Sequence, residues 1–142
     1  MTRNLLRQCG EKLTDIIPQK WYAFFAPLPN GSETQHRIII ITDEPEIKYL
    51  YITSQVEKAR IRCKKDISSL VELSPADWKH LKKECCILCG KAYLQSITKE
   101  DFKKLNVRHL GEIPEGMKSK IKYAICYSKT YTDSEKKNYT IA

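Results

Sequence analysis

The chain has 142 residues, of which 42% are apolar and 30% charged, and it carries a formal charge of +8. That length suits one domain with a real core, and that composition excludes a disordered or membrane-embedded chain. The excess of lysine and arginine points to polyanionic partners, nucleic acid first and an acidic protein segment second, although solvated surface lysine produces the same excess.

The apolar runs fall far short of the roughly 20 residues that cross a bilayer. Thr2, Arg3 and Asn4 do not open a signal peptide, so a cytoplasmic protein without a membrane partner is expected. Leu5, Leu6, Cys9, Leu13, Ile16 and Ile17 recur at helical spacing, which predicts an amphipathic helix over 3–17, interrupted near Gly10 and ended before Pro18. Trp21 to Ala26 reads as an aromatic strand. Pro27 to Ser32 reads as an exposed loop, with a turn at Asn30-Gly31.

The stretch from His36 to Ser54 organises the rest. Four consecutive isoleucines, Ile38 to Ile41, favour a buried strand over a helix. A second strand, Ile47 to Ile52, follows an acidic loop containing Pro45. If the two pair as a hairpin, Arg37 at the start of one comes near Thr53 and Ser54 at the end of the other. A guanidinium beside two hydroxyls suits a phosphate oxygen, and a buried hairpin with polar ends is the plainer alternative.

Residues 55–65 alternate in a way that predicts a strand with Lys58, Arg60, Arg62 and Lys64 on one face. Such a face is either a solvated edge or a phosphate-facing surface. Ser68 to Leu73 reads as a short strand. Ser74-Pro75-Ala76-Asp77 carries the signature of a helix start, and that helix runs to Lys83. Glu84 to Leu94 follows as a cysteine-rich strand, and Thr98 caps a second short helix. Asn106 to Gly111 reads as a turn holding His109, Pro114 to Ser128 as a C-terminal helix, and the residues after Lys129 as a loose polar tail.

The six cysteines are Cys9, Cys63, Cys85, Cys86, Cys89 and Cys126. Cys86-x-x-Cys89 has zinc-knuckle spacing, but no second close pair completes four ligands. Core thiols are the simpler expectation, with no metal and no other cofactor. His36 beside Arg37 is placed to act as an acid or base or to stand by, while His80 and His109 read as surface residues. Trp21, Tyr22, Phe24 and Phe25 have rings that stack on bases, yet an aromatic strand is more often core. Tyr49 and Tyr51 share one strand face, where cross-strand packing is the default.

The order of these elements resembles the MazF/PemK family of toxin endoribonucleases over Trp21 to Ser128. Three blocks carry the likeness: His36-Arg37-Ile38-Ile39-Ile40-Ile41, Ile52-Thr53-Ser54, and Leu81-Lys82-Lys83-Glu84-Cys85 through Ser96-Ile97-Thr98-Lys99. The resemblance implies a mainly β fold with appended helices (α+β), an SH3-like small β-barrel over 20–128, preceded by a helical extension over 1–19 and followed by a tail over 129–142, all one domain. It implies a homodimer of a toxin–antitoxin system that cleaves single-stranded RNA without a metal and has an acidic antitoxin as partner. By the resemblance Arg37, Thr53 and Ser54 would take the catalytic positions, and the basic face read from the alternation of residues 55–65 makes Lys58, Arg60, Arg62 and Lys64, with His36, the expected RNA-binding set. Two departures stand out. Ile38 follows Arg37 where the family often has proline, and the strand at Gly90, Lys91 and Ala92 lacks the acid that one member uses as a base. The alternative is a catalytically silent SH3-like module that binds nucleic acid or protein.

Overall fold

Four isoleucines in a row can all be buried only if a sheet is covered on both faces, and that is how this chain uses them. The computed structural model describes residues 18–27 and 35–141. The helix expected over 3–17 and nearly all of the 27–32 loop lie outside those residues. Ile39 and Ile41 join Leu50 and Ile52 in the larger core. Ile38 and Ile40 point the other way, into a second core with Phe24, Tyr49 and Phe102. Burying each such side chain contributes about 1.5–3 kcal/mol.

The strands are β1 (Tyr22–Pro27), β2 (Gln35–Thr42), β3 (Ile47–Thr53), β4 (Leu70–Leu73), β5 (Cys85–Leu88), β6 (Gln95–Ile97) and β7 (Arg108–Glu112). They form one sheet in the order β4-β5-β3-β2-β1-β7, with β6 also paired to β3. Every pairing is antiparallel. The described helices are α1 (Val56–Arg62), α2 (Lys99–Lys103), α3 (Glu115–Tyr127) and α4 (Asp133–Thr140). The class is therefore α+β, built mainly on antiparallel sheet. No described helix is long and apolar enough to cross a membrane.

The expected hairpin forms, with Ile38 opposite Tyr51 and Ile39 opposite Leu50. Thr98 caps α2 by accepting the Asp101 N–H, and α3 occupies the predicted span. Five expectations need correction. Residues 56–62 are helix, not strand. Val56, Ala59 and Cys63 recur at helical spacing and pack on Cys86 and Leu88, and this apolar period overrides the period of two in the charges. Residues 74–83 make successive turns rather than a helix. There the Asp77 carboxylate accepts the Ser74 N–H at 2.8 Å, and Lys120 donates to its other oxygen at 3.1 Å, so local bonds compete with helical ones.

The expected turn at 106–111 contains β7, which pairs with β1 through Phe24↔His109 and Phe25↔Arg108. Gly111 sits at φ +90° beside the irregularity in this pairing, a conformation that favours glycine. The cysteine-rich strand stops at Leu88. The expected polar tail instead folds as α4, opened by a capping box between Thr132 and Glu135. Tyr139 is buried, the Tyr131 hydroxyl donates to the Cys89 carbonyl at 2.6 Å, and the Lys20 ammonium reaches the Tyr139 and Ile41 carbonyls. Polar composition concealed these anchors.

Candidate nucleic-acid interface

The β2–β3 pairing decides which side chains meet. Continued two residues past Ile38↔Tyr51, it sets Arg37 beside Ile52 and His36 beside Thr53. Alternation then directs Arg37 to the larger-core side and His36 with Thr53 to the other. All four nonetheless line one cleft of about 370 Å³, which wraps the end of β3. Its apolar part comes from Ile52, Leu81 and Cys85, and its polar part includes Ser54, Gln55, Lys82 and Lys83. The sequence-derived group of Arg37, Thr53 and Ser54 is thus brought together.

A second cleft of about 210 Å³ adjoins it and shares His36, Thr53 and Gln55. Tyr51, Lys58 and Arg62 line this part. Because residues 56–62 are helical, the four basic residues expected on one face separate. Lys58 and Arg62, one turn apart, face the cleft. Arg60 turns elsewhere and is bound by Glu72 at 2.6 and 3.1 Å and by Glu57 at 2.8 Å. The hydrogen bond from Arg60 is the main reason the Glu72 carboxyl sits below the usual carboxylate range. Lys64 follows the helix and lines neither cleft.

Among the described residues, no aspartate or glutamate lines either cleft. Arg37, Lys58, Arg62, Lys82 and Lys83 therefore surround a space whose described lining has hydroxyls, an imidazole and a phenol but no anion. The Thr53 oxygen accepts the Gln55 N–H at 3.1 Å, which leaves its hydroxyl proton to donate outward. The His36 ring meets Tyr51 edge-on, with centroids 5.8 Å apart. Burial pushes the Cys85 thiol up, and the nearby Arg37 charge opposes this only in part, so Cys85 remains a thiol rather than a thiolate nucleophile.

Lys82, Lys83 and Gln55 were missed as site residues. The dibasic pair was visible, but the helix assigned to 74–83 hid its position beside Thr53. Cys63, Cys85, Cys86 and Cys89 are buried and free, while Cys126 is exposed. Among the described residues no three His, Cys, Asp or Glu side chains are grouped to hold a metal. Of the other rings, His80 meets Trp78 and His109 stacks on Tyr22. Trp21 and Phe24 are core, as is Tyr49, whose hydroxyl burial pushes up to about 12.

No protein-family model matches the sequence, and no curated protein matches it.

Proposed function

We propose that this protein cleaves single-stranded RNA without a metal ion, in the manner of the MazF/PemK toxin endoribonucleases its sequence resembles. The observation that carries the reading is the cleft itself: His36, Arg37, Thr53 and Ser54 share it with two lysines and, among the described residues, no carboxylate. In this reading the sheet is an SH3-like barrel in which β3 bonds to β2 along one edge and to β5 and β6 in tandem along the other.

The chemistry asks little of the protein. A ribose 2′-oxygen attacks the adjacent phosphorus as its proton passes to a base. The P–O5′ bond breaks, and the departing oxygen takes a proton from an acid. Arg37 stabilises the charge that builds on the phosphorane oxygens, and Thr53 and Ser54 hold the phosphate. His36, which lines both clefts, is the base that takes the 2′-hydroxyl proton, and water supplies the proton to the departing 5′-oxygen on the opposite side. The same resemblance brings a homodimer and an acidic antitoxin partner.

Purified protein incubated with single-stranded RNA in excess chelator is expected to yield fragments ending in 2′,3′-cyclic phosphate, with 5′-hydroxyl on the other product. Intact RNA after prolonged incubation overturns cleavage. A second reading, a silent RNA-binding module, draws on the lack of any carboxylate beside His36 among the described residues of the clefts. Salt-sensitive binding without cleavage is its signature.

A further inference from the structure

Arg37 and Arg108 stand on the strands that flank β1, and both are opposite Phe25 in register. Their guanidinium carbons lie 5.3 and 5.2 Å from the Phe25 ring centroid. Adjacent strands are about 4.8 Å apart, so roughly 10 Å separates the two arginine backbones across the sheet. Cation–π attraction holds each guanidinium to the ring. Two like charges around one ring also repel each other, and an anion lying across the ring relieves that repulsion.

The pairing of the other arginines sharpens the point. Arg60 is engaged by two carboxylates. Arg37, Arg62 and Arg108 have no carboxylate partner among the described residues. Arg37 and Arg62 line the clefts. Arg108 is exposed and shares its ring with Arg37.

We propose that Arg108, seated on Phe25, is a further RNA-phosphate contact, so that a strand entering the cleft at Arg37 continues over β1 to the β7 edge. This rests on the RNA reading above. It adds a direction to the bound strand, which leaves the cleft on the side away from α1.

The test is binding of a fluorescent 2′-O-methyl oligonucleotide, which cannot be cut by its own 2′-oxygen, across a salt series. Arg108→Ala is expected to weaken binding about tenfold and to flatten the slope of log K against log salt by about 0.7, one single-strand phosphate contact. Arg108→Lys is expected to keep the slope and lose only part of the affinity, since it keeps the charge but not the planar fork. Lys137→Ala on α4 removes the same formal charge at an exposed position and is expected to change neither quantity. Unchanged binding by Arg108→Ala, with Arg37→Ala still weakened, overturns this contact and leaves the RNA reading standing. An equal loss in Lys137→Ala reduces it to bulk charge and overturns it as well. No binding by the wild-type protein overturns both. Near-native circular dichroism in each variant keeps a folding defect from imitating the expected result.

Discussion

Arg60 and Arg62 are two residues apart on one short helix and meet opposite circumstances. Arg60 lies between Glu57 and Glu72, its fork filled by carboxylate oxygens. Arg62 faces a cleft with no carboxylate among its described lining residues. The two carry the same charge and the same donors, so only what surrounds them separates a solvated ion pair from a candidate phosphate contact. A formal charge of +8 says how many cations exceed anions, and the lining of the clefts says where that excess is left without a partner.

The variant that tests the contrast hardest removes Arg37, the cation of the larger cleft on which the proposed chemistry depends. Arg37→Ala is expected to lower the cleavage rate by about 10²–10³, the usual effect of losing one electrostatic donor at a developing oxyanion. A loss under tenfold in a chelator-resistant digest removes Arg37 from the reaction. Next in size is the pair Lys58→Ala with Arg62→Ala. It is expected to flatten the salt dependence of RNA binding by about 1.4, two single-strand contacts, while cleavage at saturating RNA stays near its original rate. A fall in the saturated rate instead would move these residues from binding to chemistry.

A third change concerns the frame that supports the cleft. The Asp66 carboxylate accepts the Ser128 hydroxyl at 2.7 Å and the Lys129 N–H at 3.0 Å, tying the end of α3 to the turn after α1. Burial alone pushes this carboxyl up, but the hydrogen bonds outweigh it and hold it below the usual carboxylate range. A lowered folded-state value means the stabilisation is fully present above the unfolded value of about 3.9 and is lost as pH falls through the folded one. Asp66→Asn is expected to cost about 1–2 kcal/mol in denaturant melts near neutral pH, modest because the site is partly solvated. The gap between wild type and variant should close below about pH 4. A gap that instead widens in acid contradicts the assignment.

How much of this was legible in the sequence depended on which signal dominated locally. The isoleucine run fixed β2 and its partner, because β-branched residues buried on two faces leave few alternatives. Register then set Arg37 beside Ile52 and His36 beside Thr53, and the cleft that wraps the end of β3 is what brings Arg37 together with Thr53 and Ser54. Residues 55–65 misled because their charges alternate with a period of two, while the few apolar side chains that pack, Val56, Ala59 and Cys63, follow the helix. Residues 74–83 carried a helix-start signature whose acid was drawn into local bonds with Ser74 and Lys120. Both errors displaced the walls of the clefts, so Lys82, Lys83 and Gln55 went unseen. The segment after Lys129 looked disordered because its anchors are single tyrosines and a capping box, which composition does not weigh.

The smallest expected effect is also the one that sharpens the contrast between neighbouring arginines. Arg60→Ala removes a full positive charge from α1, as does Arg62→Ala, so any account based on net charge predicts the same loss of RNA affinity for both. An account based on partners predicts that only Arg62→Ala matters, because the Arg60 donors are already committed to Glu57 and Glu72 and their carboxylates cancel its field at the cleft. Affinity and salt slope measured side by side separate the two accounts. Arg60→Ala is expected to leave both unchanged, since the exposed carboxylates it releases return to water. A loss equal to that of Arg62→Ala would mean that the protein attracts RNA through its overall field, and the acid-free clefts would then have no special claim as the binding site.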